Sequence, residues 1–245
     1  MTSLTASDRE IREQIADNVA AIRLRISHAA KRAGRNASDI GLMAVTKTQP
    51  IQKIVAAYEA GIRWLGENRV QEFAAKRGQL SELKDASFAL IGQLQSNKVN
   101  KAVELFSAIH SVDSLRLAER IHTAVERAGR DSLRVAIEIN TGDPAKAGLS
   151  PDSPELEQLL NSASRLPHLQ IQGLMTIPPF TDDPEGARPY FRRLREQRDS
   201  IAARRLPGIG MELLSMGMSH DFEVAIEEGS TCVRVGTAIF GERPK

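Results

Sequence analysis

The stretch Leu133-Arg-Val-Ala-Ile-Glu-Ile139 is the clearest β-strand in this sequence, and it decides the fold class. A helical pattern precedes it, from Ser114 to about Gly129, and another follows it, from Ser153 to about Arg165. Strands separated by helices pair in parallel through right-handed crossovers. The stretch and its surroundings therefore predict an α/β fold.

The alternation of strand and helix extends from this stretch toward both ends of the chain. Apolar runs predict strands at 40–46, 62–65, 88–91, 108–110, 133–139, 169–174, 211–214 and 231–235. Periodicity and end signals predict helices at about 8–33, 50–60, 69–84, 96–106, 114–129, 153–165, 187–206 and 221–228. Eight such units close naturally into a single (β/α)8 TIM barrel, with a doubly wound open sheet as the competing architecture. No linker or repeat marks a second domain, so residues 1–245 are expected to form one.

The composition argues against several other classes of protein. The 245 residues are 41% hydrophobic and 26% charged, which is ordinary for a globular protein and too apolar for disorder. A net charge of +2 is too small to indicate nucleic acid or an anionic membrane as a partner. The single cysteine, Cys232, excludes an intramolecular disulfide and indicates a reducing compartment. No apolar run approaches the roughly 20 residues of a membrane span, and no secretory signal is seen, so a cytoplasmic location is expected.

A lysine at the end of the first predicted strand is the first candidate for chemistry, because the active residues of a barrel stand at the C-terminal ends of its strands. Strand alternation places Met43, Val45 and Lys47 on one face. If that face is the barrel interior, desolvation lowers the pKa of the Lys47 amine and makes it a nucleophile toward aldehydes. The alternative is that Lys47 only ends the strand and reaches solvent.

The loops after strands 7 and 8 carry the pattern of a phosphate site. Ser219 stands where the helix at 221–228 begins and could cap it, beside free N–H groups that favour an anion. Gly236 allows a close backbone approach, and Thr237 adds a hydroxyl donor. Barrels frequently hold phosphate in these two loops, although each piece could be ordinary turn chemistry. A phosphate cup facing Lys47 describes a pyridoxal 5′-phosphate (PLP) site.

An arginine inside the last predicted strand also needs an explanation. Arg234 lies two residues before Gly236. On a functional interpretation it donates to the pyridine nitrogen of PLP, and an always-charged donor disfavours protonation of that nitrogen. The ring is then a poor electron sink and stabilises carbanions weakly. The alternative is a structural ion pair with Glu138 or Glu212.

Six sequence motifs, spread over nearly the whole chain, closely resemble those of the pyridoxal phosphate homeostasis family, the small PLP-binding barrels related to the N-terminal domain of alanine racemase. Each motif alone is weak, and together they are highly specific. They are Ala44-Val-Thr-Lys-Thr48, Gly66-Glu-Asn-Arg-Val-Gln-Glu72, Ile91-Gly-Gln-Leu-Gln-Ser-Asn-Lys98, Gly173-Leu-Met-Thr-Ile-Pro178, Ser215-Met-Gly-Met-Ser219 and Val233-Arg-Val-Gly-Thr-Ala-Ile-Phe-Gly241.

The resemblance implies a protein of intracellular vitamin B6 homeostasis that holds PLP as a reversible Schiff base and supplies or buffers it. The implied cofactor-binding residues are Lys47 for the Schiff base, Asn68 near the cofactor, Ser219, Gly236 and Thr237 for the phosphate, and Arg234 for the ring nitrogen. The chain departs from the family at Ala89, where a histidine is usual, and at Gln93, where a proline is common. The role of that histidine therefore does not carry over.

The rival function is a PLP-dependent amino-acid racemase or another fold-type III PLP enzyme. A two-base racemase uses a tyrosine from a second domain, whereas Tyr58 and Tyr190 both fall on predicted helices. We therefore expect a carrier rather than an enzyme, with room for a weak racemase-like activity. The expected partners are PLP and PLP-requiring apo-enzymes, with no nucleic acid and no membrane, and the protein is expected to be a monomer.

The remaining polar features favour ordinary surface or core roles. The arginine-rich helix at 187–206 could bind nucleic acid, but such a run is usually a solvated face and few aromatics interleave with it. The five histidines show no paired metal-ligand spacing, so no metal site is predicted. Cys232 is expected to pack as a small apolar residue. Lys98 and Lys146 could accept PLP transiently, although solvated lysines are the simpler interpretation.

Overall fold

Eight parallel strands close into a barrel in the computed structural model, which describes residues 6–142 and 147–242. Each strand pairs with the next along the chain, and the first pairs with the last, so the TIM barrel is confirmed and the open sheet is wrong. The strands are β1 Gly41–Val45, β2 Trp64–Glu67, β3 Ser87–Leu90, β4 Ala108–Val112, β5 Leu133–Glu138, β6 Leu169–Met175, β7 Ile209–Ser215 and β8 Cys232–Val235.

Helices follow the strands around the outside of the barrel. They are α1 Ala6–Arg32, α2 Ile51–Glu59, α3 Val70–Arg77, α4 Val99–Leu105, α5 Leu115–Arg127, α6 Pro154–Ser162, α7 Arg188–Ala203, α8 Phe222–Glu227 and α9 Thr237–Phe240. Short 3₁₀ turns occupy Ala37–Asp39, Gly78–Leu80, Ser96–Lys98, Ala163–Arg165 and Pro184–Ala187. Over the described ranges, no helix combines the length and the apolar character needed to cross a membrane.

The helix that precedes the first strand is a packed part of the fold. Its apolar residues recur at helical spacing and are buried, namely Ile15, Val19, Ile22 and Ile26. This face of α1 packs against α2, α8 and α9. Because α8 and α9 flank the last strand, α1 covers the seam where β1 meets β8.

The core has two layers, as a barrel requires. One lies between the strands and the helices. The other fills the barrel itself with four small and four larger residues, namely Met43, Ala89, Ile91, Ala108, Ala136, Met175, Leu213 and Cys232. Cys232 is fully buried there, and burial raises the pKa of its thiol to about 11, which agrees with a packing role. The small residues leave room inside the barrel for His110, Glu138 and Arg234, all of them buried.

Several element bounds differ from the sequence prediction. Strand β2 begins at Trp64 rather than at residue 62, because Gly61 turns through a left-handed conformation and the chain joins β1 only at the pairing of Met43 with Trp64. The strand also continues to Glu67 rather than ending at residue 65, because Glu67 pairs with Leu90 of β3. Helix α3 ends at Arg77 rather than near residue 84, because the chain tightens into a 3₁₀ turn at Gly78. Helix α9 has only four residues and was not predicted.

Candidate functional site

A cavity of about 230 Å³ opens at the C-terminal mouth of the barrel. All six residues singled out from the sequence line it, so the fold brings together side chains from four different strand ends. The complete lining is Val45, Lys47, Gln49, Asn68, Ile91, Ile177, Met218, Ser219, His220, Arg234, Gly236, Thr237 and Gly241. This volume lies just below the range of small-ligand pockets, about 300–1,000 Å³, and suits a one-ring ligand better than a dinucleotide.

Lys47 reaches the cavity from the end of β1. Met43 and Val45, four and two residues earlier, pack with the side chains that fill the barrel, so the strand face chosen from the sequence is the inner one. Lys47 itself is half-buried and lines the cavity beside Val45. The strand face singled out from the sequence therefore directs Lys47 to the cavity wall.

Arg234 is buried on the inner face of β8 and is held by oxygen acceptors. One guanidinium nitrogen, Nη1, donates to the carbonyl oxygen and to the Oγ of Ser215, both at 2.7 Å. The other, Nη2, donates to the carbonyl oxygen of Thr176 at 2.7 Å. Across the described part of the chain no ion pair joins Arg234 to Glu138 or Glu212, so the alternative interpretation of Arg234 as a structural ion pair is wrong. Carbonyl oxygens at the ends of β6 and β7 satisfy the guanidinium instead.

Burial dominates the electrostatics around Arg234. It lowers the pKa of the guanidinium, while Cys232, Glu138 and Asp221 oppose that change. The same burial raises the pKa of Glu138 to about 7, helped by the nearby charge of Asp113 and opposed by Arg234. The inside of the barrel therefore carries a cationic donor beside a carboxyl group that titrates near neutrality.

Ser219 does not cap helix α8, contrary to the sequence prediction. The residue before that helix is Asp221, and its carboxylate accepts a hydrogen bond from the N–H of Met218 at 2.6 Å, which tightens the turn. Ser219 instead points across to the last loop. Its Oγ accepts hydrogen bonds from the N–H groups of Gly236 at 3.2 Å and Ala238 at 3.3 Å. The polar end of the cavity is therefore built around the start of α9.

Gly236 leaves open space that the protein itself does not need. Its φ is −116°, so the backbone does not require glycine. A Cβ built there would meet Val45 at 3.4 Å, an ordinary contact, and nothing closer. Because Gly236 lines the cavity, the space that a side chain would fill at this position is available to a ligand. Thr237, the next residue, begins α9 and also lines the cavity.

Asn68 is placed by a close backbone contact. It follows β2, and Gly92 in the loop after β3 approaches it so closely that a Cβ on Gly92 would lie 2.4 Å from the Asn68 carbonyl oxygen. Glycine at 92 is thus needed for the position of Asn68. Lys98 lies away from the cavity, in a neighbouring groove that Asn68 also borders. The prediction for Lys146 concerns a residue outside the described ranges.

Sequence reasoning missed some of the cavity wall. His220 follows Ser219 directly and lines the cavity, with its ring centroid 5.6 Å from that of the exposed Phe180. The Nε2 of His220 lies 3.1 Å from the carbonyl oxygen of Thr181. Ile177 also lines the cavity. It belongs to the motif Gly173-Leu-Met-Thr-Ile-Pro178, but the sequence did not show which side chains of that motif face the cavity. The adjacency of His220 to Ser219 was the available signal.

The arginine-rich helix α7 is largely matched by acidic side chains. Glu228 is buried and accepts from three arginines, Arg188, Arg192 and Arg195. Others pair singly, as in Arg198 with Asp199. These pairs favour the solvated-face interpretation over a nucleic-acid surface. Among the residues with described positions, no three His, Cys, Asp or Glu side chains are arranged to hold a metal ion.

Comparison with known proteins gives consistent matches over nearly the full length. Residues 18–244 match the family model described as alanine racemase, N-terminal domain. The chain is 45% identical over 222 residues to the pyridoxal phosphate homeostasis protein of Aquifex aeolicus, covering 89% of this chain and 94% of that protein. It is 40% identical over 230 residues to the protein of the same name from Pseudomonas aeruginosa, covering 94% and 96%.

Solved structures give the same grouping. PipY of Synechococcus elongatus, solved with PLP bound, has a TM-score of 0.81 and 38% identity, covering 93% of this chain and 100% of that one. The structure of PipY without PLP has a TM-score of 0.82. Alanine racemase of Clostridium difficile has a TM-score of 0.70 at 14% identity, covering 95% of this chain and 58% of that one, a likeness of fold alone.

Proposed function

This chain belongs to the pyridoxal phosphate homeostasis family, within the alanine racemase N-terminal domain group, and from that premise we propose that it binds PLP in the cavity at the barrel mouth and buffers or supplies it within the cell. The observation that carries the proposal is that Lys47 converges on one small cavity with Ser219 and Arg234, which lie far from it in the sequence. An amine, a buried guanidinium and a hydroxyl around apolar walls fit an aldehyde-bearing aromatic phosphate.

The donors in the cavity match the parts of PLP. When bound, PLP supplies an aldehyde that condenses reversibly with an amine, and Lys47 is the amine that we propose holds it as a Schiff base. Ser219, Gly236 and Thr237 would hold the phosphate at the start of α9, where Gly236 leaves the required space. Asn68, which follows β2, also borders the cavity. In the strand order it lies on one side of Lys47, which follows β1, and the residues proposed for the phosphate lie on the other side, after β7 and β8.

Arg234 favours holding PLP over turning substrate over. Its guanidinium is fixed by Ser215 and Thr176, so it presents a donor to the cavity without the freedom to rotate away. Arginine keeps its proton, so a ring nitrogen facing it accepts a hydrogen bond and is not itself protonated. An unprotonated ring withdraws electrons weakly, which suits a carrier.

The positions of the two tyrosines also favour a carrier over a racemase. Tyr58 lies on α2, where its hydroxyl donates to Asp85. Tyr190 lies on α7 and packs against Gly142. Neither residue lines the cavity, so neither stands opposite Lys47 as a second base.

The finer features of the proposal follow from the same cavity. We propose that one domain over residues 1–245 acts as a monomer in the cytoplasm, and that the open mouth releases PLP to PLP-requiring apo-enzymes. The fully buried Cys232, which needs no disulfide partner, supports a reducing location. Weak racemase-like activity is the second expected outcome of an amine that can exchange PLP.

Borohydride reduction followed by peptide mass spectrometry tests the proposed function. The purified protein is incubated with PLP, reduced and digested, and the adduct is expected on Lys47. Lys47→Ala should carry no adduct and should lose the visible absorption band, while Lys98→Ala should keep both. An adduct that stays on another lysine in Lys47→Ala, with the band unchanged, would refute the assignment of Lys47.

A further inference from the structure

Lys76, on the outer helix α3, ties down the main chain on both sides of Lys47. Its ammonium donates to the carbonyl oxygen of Thr46 at 3.2 Å and to Oε1 of Glu72 at 2.5 Å. The same oxygen of Glu72 accepts the N–H of Thr48 at 2.6 Å. The residues immediately before and after Lys47 are therefore both anchored to one ion pair, which does not line the cavity.

Glu67 forms the buried base of this arrangement. Its side chain is fully buried, and Oε1 accepts the hydroxyl of Thr46 at 2.7 Å. The ammonium of Lys76 lies 3.5 Å from the same oxygen, while Oε2 finds no hydrogen-bond partner among the described residues. Burial raises the pKa of Glu67, and Thr46 and Lys76 oppose that change. Lys76 thus pairs with two carboxyl groups. Glu67 accepts from Thr46, before Lys47, and Glu72 accepts from Thr48, after it.

Thr48 shows that the segment needs to be held. Its φ is 60°, a left-handed conformation that is rare for a β-branched residue. Such a conformation persists only where the surroundings impose it. Here the N–H of Thr48 is fixed by Glu72, and its hydroxyl donates to the carbonyl oxygen of Lys47 at 2.6 Å. The turn that follows Lys47 therefore depends on the ion pair behind it.

We propose that Lys76 is a positioning residue that, through Glu72 and Glu67, fixes the backbone of Lys47 so that its amine is presented to the cavity. This inference rests on the proposed function, because it assigns Lys76 a role in the bond between Lys47 and PLP. The proposed phosphate end of the cavity comes from β8, α9 and the loop after β7, whereas the hydrogen bonds and ion pairs of Lys76 among the described residues go to Thr46, Glu67 and Glu72. Loss of Lys76 should therefore impair bond formation and spare phosphate binding.

Two ligands separate these effects. Pyridoxine 5′-phosphate has the ring and the phosphate but no aldehyde, so it reports on the cavity alone, whereas PLP also reports on the amine. For Lys76→Met we expect the visible band with PLP to rise on the order of 10- to 100-fold more slowly, as for a reacting group displaced by about 1 Å. The affinity for pyridoxine 5′-phosphate should stay within about twofold, a change below ~0.5 kcal/mol. Lys76→Arg should restore much of the rate.

Matched variants guard against trivial explanations. Lys101→Met removes another helical lysine paired with a glutamate, Glu104, and should behave as the wild type. Glu72→Ala removes the acceptor of Thr48 at a partly exposed position and should reproduce the slow rate if Lys76→Met folds poorly. The inference is overturned if folded Lys76→Met or Glu72→Ala forms the bond at the wild-type rate, or if affinity for pyridoxine 5′-phosphate falls in step with the rate. Absence of the band in the wild type would instead refute the proposed function.

Discussion

The guanidinium of Arg234 and the end of strand β7 are joined at Ser215, whose carbonyl oxygen and Oγ both accept from one nitrogen, Nη1, at 2.7 Å. A buried cation is thus satisfied by neutral oxygens instead of a carboxylate. Charge-assisted hydrogen bonds of this kind are short and strong, and they fix the plane of the guanidinium. The arrangement keeps Arg234 charged and rigid at the base of the cavity.

Replacing Arg234 should be costly for stability. Arg234→Met removes three buried hydrogen bonds, two to Ser215 and one to Thr176. The carbonyl oxygen of Ser215 keeps the N–H of Thr176 as a donor, while the carbonyl oxygen of Thr176 and the Oγ of Ser215 lose the guanidinium. We expect the free energy of unfolding to fall by about 2–4 kcal/mol, measured by urea denaturation. Arg193→Met, which removes an exposed arginine of α7, should cause a much smaller change. Equal stability of Arg234→Met and the wild type would contradict this account of the hydrogen bonds.

A methyl group at Gly236 should weaken ligand binding without unfolding the protein. The backbone at Gly236 has a negative φ, and the atoms nearest to the added Cβ belong to Val45, at ordinary distances from 3.4 Å. We expect Gly236→Ala to change the free energy of unfolding by less than about 1 kcal/mol. Its affinity for pyridoxine 5′-phosphate should fall about tenfold, equivalent to ~1.4 kcal/mol, in a calorimetric titration.

The control for Gly236 is a glycine that lies away from the cavity. Gly78 has an ordinary helical conformation, and a Cβ there meets nothing within 4 Å. Gly78→Ala should leave the affinity unchanged and raise stability slightly. If Gly236→Ala binds as tightly as the wild type, the space at Gly236 is not used by the ligand.

Two buried groups inside the barrel should give opposite contributions to the pH dependence of stability. Burial raises the pKa of Glu138 from 4.5 to about 7, so the folded chain keeps a proton there that the unfolded chain loses. Burial, with smaller contributions from Arg234 and Arg134, lowers the pKa of His110 from 6.5 to about 3, so the unfolded chain gains a proton that the folded chain refuses. Between about pH 4.5 and 6.5 the two effects largely cancel.

Removing the charge of Glu138 should reveal how much Glu138 contributes to the pH dependence of the free energy of unfolding. In the wild type, stability falls as the pH rises from 4.5 to about 7, by roughly 3 kcal/mol in total. Glu138→Gln stays neutral throughout. Its advantage in unfolding free energy over the wild type should therefore grow by about 2–3 kcal/mol between pH 5 and pH 8, measured by urea denaturation at each pH. A difference that does not change with pH would contradict the raised pKa.

Removing His110 should reveal the opposite contribution, which His110 makes to the pH dependence of stability. The stability that neutral His110 contributes is present above pH 6.5 and is lost as the pH falls toward 3, at about 1.4 kcal/mol per pH unit. His110→Phe lacks this loss and also removes a buried Nδ1 that has no partner among the described residues. We expect its thermal midpoint, relative to that of the wild type, to increase as the pH is lowered from 7 to 5. A constant offset across that range would argue against a neutral buried histidine.

The fold was predictable because it depends on patterns that repeat along the chain. Eight apolar runs separated by helical periodicity leave few parallel arrangements, and closure of eight units is the natural one. The errors lie where contacts between distant residues decide the outcome. The start of β2 is set by its pairing with β1, and α9 is too short to have a period of its own.

The sequence predicted which residues line the cavity, but it did not predict the hydrogen bonds that these residues make. Strand ends of a barrel meet at one mouth, so Lys47, Asn68 and Arg234 could be grouped before the structure was known. Their partners could not, because they come from other loops. Ser219 accepts hydrogen bonds from the last loop and does not cap the nearest helix. Arg234 donates to carbonyl oxygens and not to carboxylates. No local pattern reports either choice.

Pairing of β1 with β8 sets Met43 beside Arg234 and joins the earliest strand of the chain to the latest. Lys47 and the cavity residues Arg234, Gly236 and Thr237 therefore come from distant parts of the polypeptide. On the proposed function, a ribosome must translate β8 and the loop after it before the nascent chain can bind PLP. Chains that stop before β8 should leave free PLP unbound.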